Sequence, residues 1–298
     1  MAKGALGPDV DVPGPDIGTN SKTMFWMYNK VAELNRKHHL GIPNVAAVVT
    51  GKPIEYDGYP GREDATARGG LIVLQEYLKI SKTLFKMVPR VAIQGFGNVG
   101  FNFARLLPQH HFNMVAVSDV HGGIYSSDGL DFEEVKRWHT EQGSFKGFPN
   151  ADEISNDNLI LSDCDILVPA AIENQINIKN SGSIHANLVL ELANEAVTMD
   201  GYNILKNRGI SVIPGIVANT GGVVVSFIEW SRNRGFRPHK VDLDKIQGEV
   251  ENELDKIMKD IIRKTYTKSL DVRLTIDEAA DVLAIETLCE QLKMEHGY

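Results

Sequence analysis

Cysteine is scarce in this sequence, and long apolar runs and an excess of basic residues are absent from it. The 298 residues contain only Cys164 and Cys289, so we expect two reduced, buried thiols in a cytoplasmic protein rather than a disulfide framework. No apolar run approaches the roughly 18 residues of a membrane span, and the first residues lack a signal-peptide core. A net charge of −8 argues against a nucleic-acid partner. We therefore expect neither a nucleic-acid nor a membrane partner.

Metal-ligand patterns are also missing. Histidine pairs occur at His38-His39 and His110-His111, but neither pair has helix-face spacing or a neighbouring cluster of cysteines or carboxylates. We interpret them as polar helix ends and predict no metal site. No internal repeat or low-complexity segment is present.

Alternating strands and helices are present from Arg90 onward, a pattern typical of a parallel α/β sheet. The predicted strands are Arg90–Gln94, Met114–Ser118, Ile166–Val168, Leu188–Leu192 and Ser211–Ile213. The predicted helices are Thr19–Asn35, Val99–Leu107, Phe132–Thr140, Tyr202–Arg208, Lys240–Lys268 and a last one opened by the capping box Thr275-x-x-Glu278. Little of this α/β pattern precedes residue 90.

A glycine motif, Gly95-x-Gly97-x-x-Gly100, stands between the first strand and a helix. Gly95 permits the tight turn, Gly97 lets a pyrophosphate approach the backbone, and Gly100 allows close helix–strand packing. Asp119 ends the next strand, where a carboxylate can bind the ribose hydroxyls of a dinucleotide. The alternative is an ordinary tight turn with Asp119 as a surface cap.

An acid at position 119 favours NAD, because it repels the 2′-phosphate of NADP. NADP stays open, however, because nearby basic side chains can offset that charge. The candidates are His121, Lys82, Lys86 and Arg90.

Several long motifs together resemble the glutamate dehydrogenases, within the wider glutamate/leucine/phenylalanine/valine dehydrogenase family. They are VPGPDIGTNSKTMFWM, TGKPIEYDGYPGREDATARGG, SDVHGGIYSSDGLD, LVPAAIENQI, ELANEAVT and PGIVANTGGVVVSFIEW, in the family's order. The similarity is greatest to the hexameric archaeal and bacterial type and runs from about residue 7 to near the C-terminus. It implies an oxidoreductase of amino acid metabolism that uses NAD, with NADP possible.

The resemblance assigns roles to individual residues. It implies that Asp16 is the catalytic proton shuttle and that Ser226, with Val223, binds the glutamate substrate. Without the resemblance, Asp16 would be an acid in a Pro-Gly turn and Ser226 a serine bonded to backbone.

The resemblance also implies the cofactor contacts. Thr66 and Asn219 match residues that hold the nicotinamide, while Ala170, Ala171 and Asn194 match residues that line the adenosine half. With the turn and its acid, the predicted cofactor residues are Thr66, Gly95, Phe96, Gly97, Asn98, Val99, Gly100, Asp119, Ala170, Ala171, Asn194 and Asn219. The alternatives are structural: a helical threonine, an asparagine cap and ordinary small residues in an α/β turn.

The sequence also departs from the family pattern. In the family, a substrate domain with carboxylate-binding lysines and a catalytic lysine precedes VPGPD, whereas only Lys3 precedes Asp16 here, in unlike surroundings. Tyr59-Pro60 replaces smaller residues, and Gly215 stands where aspartate is frequent. Because a lysine of lowered pKa must assist water attack on the imine, we expect this chain alone to be inactive or weakly active.

These observations predict a doubly wound, Rossmann-type α/β fold with helical remnants of a second domain. The predicted divisions are a substrate and oligomerisation remnant over residues 1–46, an NAD(P)-binding domain over 47–235 and C-terminal helices over 236–298. The expected reaction is oxidative deamination of L-glutamate to 2-oxoglutarate by a homo-oligomer, or by this chain with a partner chain of the same family. Two alternatives stay open: an NAD(H)-binding regulatory module, and a dehydrogenase of another amino acid.

Overall fold

A computed structural model describes residues 6–236 and 243–296. Lys3 and the Lys240 start of a predicted helix lie outside the described residues. Within the described part of the chain, no helix is long and apolar enough to cross a membrane.

One seven-stranded sheet organises the fold, in the order β4-β3-β2-β1-β5-β6-β7. Its strands are β1 (Arg90–Gln94), β2 (Asn113–Asp119), β3 (Gly122–Tyr125), β4 (Asp152–Ile154), β5 (Ile166–Pro169), β6 (Leu188–Leu190) and β7 (Ser211–Ile213). The neighbours β2, β1, β5, β6 and β7 pair in parallel, whereas β3 and β4 join antiparallel.

The α-helices precede the sheet, alternate with its strands and follow it. They are α1 (Ser21–His38), α2 (Ala65–Ile80), α3 (Asn98–Leu106), α4 (Phe132–Gln142), α5 (Asn156–Ile160), α6 (Met199–Asn207), α7 (Gly215–Ala218), α8 (Gly221–Asn233), α9 (Leu243–Val272) and α10 (Ile276–His296).

The central strands are apolar because both faces of the sheet are covered. Val91, Ala92 and Ile93 of β1 are fully buried, as are Ile166, Leu167 and Val168 of β5. One apolar cluster joins these strands to Leu159 of α5 and Leu205 of α6. Burial on both faces therefore explains runs that are continuously apolar rather than alternating.

The chain forms two compact units. The first contains residues 1–65 and 221–257, and the second contains residues 66–220 and 258–298, including the whole sheet. The three-part division predicted from the sequence stays a prediction. The predicted doubly wound α/β class is confirmed, and every predicted strand is present.

The prediction did not include β3 and β4. Asp119 pairs with Gly122, so Val120 and His121 make a tight hairpin that returns the chain antiparallel to β2. Both strands are short, and Gly122 and Gly123 have low strand propensity. Pairing with β2 therefore outweighs the local preference.

Candidate dinucleotide site

The glycine turn lies at the carboxyl end of β1, between β2 and β5. The chain proceeds from β1 outward to β2 on one side and later returns to add β5 on the other. In an open α/β sheet this reversal leaves a crevice beyond the strand ends, which is where dinucleotides bind.

The turn is fixed to both neighbouring strands. Gly95 N donates to the Ser118 carbonyl at 3.0 Å, and Ala170 N donates to the Gln94 carbonyl at 2.8 Å. Gly95 has a φ of +100°, and a Cβ on it would lie 2.9 Å from the Ala170 oxygen. Glycine is therefore required here by both backbone conformation and space.

Gly97 and Gly100 differ in the space around their Cβ positions. A Cβ on Gly100 would overlap the carbonyl oxygen of Gly95, so this glycine lets α3 pack against the turn. A Cβ on Gly97 would meet no atom within 4 Å, and Gly97 is the exposed N-cap of α3 with no side-chain cap. The N-terminus of α3 therefore has open space beside Gly97, and this arrangement fits a pyrophosphate.

Phe96, in the glycine turn, is held by contacts with aromatic side chains. Its ring is 8% exposed and lies edge-on to Phe101, His139 and Phe145, with centroids 5.3, 5.1 and 5.3 Å away. Next to it, Asn98 is exposed and Val99 is half-buried at the start of α3. Only the backbone of Phe96 is therefore available to a ligand.

Asp119 ends β2 beside this turn, and both of its carboxylate oxygens already have partners. The His121 backbone N–H donates to Oδ1 at 2.7 Å, and Nε2 of His139 lies 3.0 Å from Oδ2. Asn156 Nδ2 donates to the Asp119 carbonyl at 2.9 Å. The acid is thus positioned by three elements, and sequence reasoning missed His139, which lies on α4.

The two asparagines assigned to the cofactor bond to each other. Asn219 Nδ2 donates to Asn194 Oδ1 at 2.6 Å, joining the segment after β6 to the end of α7. A Cβ on Gly70 of α2 would lie 3.5 Å from the Ala218 oxygen. Because Thr66 is one helical turn before Gly70, the fold brings Thr66 and Asn219 to the same region.

A buried carboxylate organises the segment that carries Asn194. Glu191 is 2% exposed, and it accepts the backbone N–H of Val197 at 2.6 Å, that of Gly215 at 2.9 Å and the Tyr202 hydroxyl at 2.5 Å. Burial raises the pKa of Glu191, although these three hydrogen bonds oppose the shift. Glu191 therefore joins the end of β6 to α6 and α7.

The adenosine-side alanines follow β5. Ala170 is half-buried and Ala171 exposed, and the Ala171 Cα lies 3.1 Å from the Cβ position of Gly95. Gln175, further along this loop, accepts a 2.7 Å hydrogen bond from Gln94 at the end of β1. The loop is thus held against the glycine turn.

The residues assigned to catalysis and substrate lie in the first unit. The VPGPD segment packs on residues 50 and 51: Thr50 N donates to the Pro13 carbonyl at 2.9 Å, and a Cβ on Gly14 would lie 3.8 Å from Ser226 Oγ. This packing brings the Asp16 loop near Ser226. Asp16 itself is exposed, with Oδ1 accepting the Ile17 N–H at 2.7 Å.

Arg62 lies close to Ser226, although no pattern in the sequence assigned it a role. Its Nε donates to Ser226 Oγ at 2.8 Å. Burial lowers the pKa of Arg62, and the charge of Glu229 opposes that shift. Val223, one turn before Ser226 on α8, is 68% exposed. A guanidinium beside the hydroxyl of a half-buried serine is suited to a carboxylate ligand.

A buried ion pair lies behind Ser226. Lys52 Nζ is 2.5 Å from Glu229 Oε1, both side chains are fully buried, and Gly51 N donates to Glu229 Oε2 at 2.8 Å. Burial raises the pKa of Glu229, while the ammonium of Lys52 opposes the shift. The pair joins α8 to the segment that carries Gly51.

No group of three or more histidine, cysteine, aspartate or glutamate side chains that can hold a metal occurs in residues 6–236 and 243–296.

Comparison with known proteins agrees with this geometry. The model of the Glutamate/Leucine/Phenylalanine/Valine dehydrogenase family matches residues 58–296. A glutamate dehydrogenase of Thermotoga maritima is 38% identical over 98% of this chain and 68% of its own length. The cryptic catabolic NAD-specific glutamate dehydrogenase of Bacillus subtilis is 36% identical over 96% of this chain and 64% of its own length.

Solved structures give the same result. The hetero-hexameric glutamate dehydrogenase of Thermus thermophilus, in a leucine-bound form, superposes with a TM-score of 0.83 at 27% identity, covering 96% of this chain and 65% of that one. The glutamate dehydrogenase of Peptoniphilus asaccharolyticus gives 0.78 at 29% identity, covering 98% and 67%. This chain therefore spans about two thirds of the length of the relatives it matches.

The family model, these identities and the glycine turn at the sheet's reversal point confirm the resemblance, and the chain belongs to the glutamate/leucine/phenylalanine/valine dehydrogenase family.

Proposed function

We propose that the second unit binds NAD, or NADP, and that the chain takes part in the oxidative deamination of L-glutamate to 2-oxoglutarate and ammonia. The observation that carries the cofactor proposal is the open space at Gly97, at the N-terminus of α3 and at the reversal point of the sheet. Thr66, Asn194 and Asn219 would hold the nicotinamide and adenosine ends.

The substrate proposal rests on charge. Ser226 accepts from Arg62, so its hydroxyl hydrogen is free to donate to a substrate carboxylate, and the guanidinium adds a nearby positive charge. The side chain of leucine or valine offers nothing to pair with either group. L-Glutamate is therefore the favoured substrate, with Val223 beside its aliphatic part.

The chain's own residues would orient the substrate and move protons. Thr66 and Asn219 would hold the nicotinamide, which would supply the hydride acceptor for oxidation at the substrate Cα. Asp16, on an exposed turn held against residues 50 and 51, would relay protons during imine hydrolysis. Arg62 and Ser226 would fix the distal carboxylate.

We further propose that this polypeptide alone turns over slowly. The family pattern places carboxylate-binding and catalytic lysines ahead of the VPGPD motif, and Lys3 does not match them. Loss of such an acid–base group commonly costs about 10²–10⁴-fold in rate. A partner chain of the same family that carries these lysines would supply them.

The test combines NADH fluorescence titration with absorbance at 340 nm in the presence of L-glutamate and NAD⁺ or NADP⁺. Gly97→Ala should weaken NADH binding by at least about tenfold, because its methyl group enters the pyrophosphate space. Its matched control is Gly182→Ala, since a Cβ at Gly182 also meets no atom within 4 Å but lies outside the turn. We expect the control to bind like the unmodified chain.

The outcomes separate the possible functions. NADH binding without turnover, with activity restored by an added partner chain, supports a cofactor-binding part of a dehydrogenase. NADH binding without turnover that no partner chain restores supports a regulatory NAD(H)-binding module. Rapid turnover by the chain alone would contradict the proposed need for the missing lysines. Equal NADH affinity in Gly97→Ala and Gly182→Ala would contradict the binding site.

A further inference from the structure

The carboxylate of Asp119 is largely buried and already hydrogen-bonded. Its side chain is only 10% exposed, and each oxygen already accepts a hydrogen bond. A carboxylate oxygen accepts more than one hydrogen bond, so a ribose hydroxyl still finds an acceptor here. The negative charge, however, is partly compensated before any ligand arrives.

The compensating group is His139, whose orientation is fixed by packing. Its ring lies 5.1 Å from that of Phe96 in the glycine turn and 4.9 Å from that of Phe145, and its side chain is 28% exposed. Because an aspartate carboxylate only accepts, Nε2 of His139 must donate in the 3.0 Å contact. The aromatic neighbours thus hold the donor on Oδ2.

The hairpin that follows Asp119 lines a cleft that also carries a basic side chain. A cleft of about 340 Å³ adjoins the β2–β3 hairpin and the segment after α4. Its charged and titratable lining residues are His121, Lys146 and Glu153, and Glu153 Oε1 is engaged by the Gly147 N–H at 2.6 Å. Lys146 is exposed, so an ammonium lies on the wall of a cleft that begins two residues after Asp119.

We propose that His139 is a specificity-determining positioning residue, which donates to Asp119 and so weakens the exclusion of a 2′-phosphate, allowing the chain to bind NADPH as well as NADH. The inference rests on the proposed dinucleotide site and deepens it. In the absence of the donor, the full charge of Asp119 opposes the phosphate, whereas ribose hydroxyls bind as before.

Two substitutions separate the hydrogen bond from the packing. His139→Phe keeps an aromatic ring against Phe96 and Phe145 but removes the donor, and His139→Gln keeps a donor near the position of Nε2. Dissociation constants for NADH and NADPH are measured by fluorescence titration of the unmodified chain and each variant. We expect His139→Phe to weaken NADPH binding about tenfold with NADH binding almost unchanged, and His139→Gln to behave like the unmodified chain.

The double variant Asp119→Asn/His139→Phe is the charge control. Because it has no carboxylate, NADPH affinity should return to at least that of the unmodified chain. The inference would be overturned, without affecting the proposed function, if His139→Phe left the ratio of the NADH and NADPH dissociation constants unchanged. It would also be overturned if His139→Phe and His139→Gln lost equal affinity for NADPH. Failure of the unmodified chain to bind either dinucleotide would instead overturn the proposed function, and this inference with it.

Discussion

In the first unit, Glu229 shares the interior with the ammonium of Lys52, whereas in the second unit Glu191 is surrounded by neutral donors. Both glutamates are almost fully buried, and burial raises the pKa of each. Glu229 is compensated by an opposite charge, while Glu191 is compensated by the Tyr202 hydroxyl and two backbone N–H groups. The same residue type is therefore stabilised by two different physical means.

The difference indicates what each unit loses when a partner is removed. Without Lys52, the buried carboxylate of Glu229 loses the ammonium that it pairs with, which is the costlier defect. Without Glu191, three donors lose an acceptor, but no unpaired charge remains. We therefore expect removal of Lys52 from the first unit to lower the free energy of unfolding more than removal of Glu191 from the second.

The largest effect is expected for Lys52→Met, which should lower the free energy of unfolding by about 3–5 kcal/mol. Urea unfolding followed by tryptophan fluorescence measures it, because Trp230 lies in the first unit and Trp138 in the second. The control Lys52→Met/Glu229→Gln removes the charge and keeps an oxygen for the Gly51 N–H. It should recover most of the loss; a double variant as unstable as Lys52→Met would refute the unpaired-charge explanation.

A smaller effect is expected for Glu191→Ala, about 1–3 kcal/mol, because donors are left unsatisfied without a buried charge. NADH binding should also weaken, since Glu191 fixes the segment that carries Asn194 and the start of α7. Glu191→Gln keeps one oxygen acceptor and should lose less of both. A Glu191→Ala loss exceeding that of Lys52→Met would reverse the comparison.

The smallest effect is a difference in pH dependence between Glu191 and Glu278. At the start of α10, Glu278 accepts the Thr275 N–H and pairs with Lys206, and these contacts lower the pKa of Glu278 to about 2. Its contribution is present above the ordinary pKa of 4.5 and is lost as pH falls through about 2. For Glu191, whose pKa is raised, the contribution is present below 4.5 and is lost as pH rises.

Unfolding between pH 3 and 7 tests this contrast. The stability of the unmodified chain relative to Glu278→Gln should rise with pH, and its stability relative to Glu191→Gln should fall. At neutral pH, Glu278→Gln should cost about 0.5–1 kcal/mol, because the carboxylate is solvent-exposed. If the stability difference changed with pH in the same direction for both variants, burial would not determine the direction of the pH dependence.

The sequence predicted the features that depend on neighbouring residues. The apolar run Val91–Ile93 indicated a strand buried on both faces, and Gly95, Gly97 and Gly100 indicated the turn that follows it. The Thr275–Glu278 capping box predicted the start of α10, and Glu278 Oε2 does accept the Thr275 N–H at 2.8 Å. Each of these signals lies within a few positions of the feature it predicts.

The remaining features depend on residues far apart in the chain. Lys52 and Glu229 are 177 positions apart and Arg62 and Ser226 are 164 apart, so no local pattern indicates either pair. His139 lies within the predicted helix Phe132–Thr140, and no local pattern distinguishes it. Its role emerges only when β2 and α4 place it on Asp119 and Phe96.

The two margins of the sheet bear on how the protein behaves at high concentration. One margin is β4, a strand of three residues that begins with the exposed acids Asp152 and Glu153, and the other is β7, against which α10 packs. A short, negatively charged margin disfavours pairing with a strand of another molecule. The sheet that carries the dinucleotide site is thereby protected from extending into an aggregate at its β4 margin.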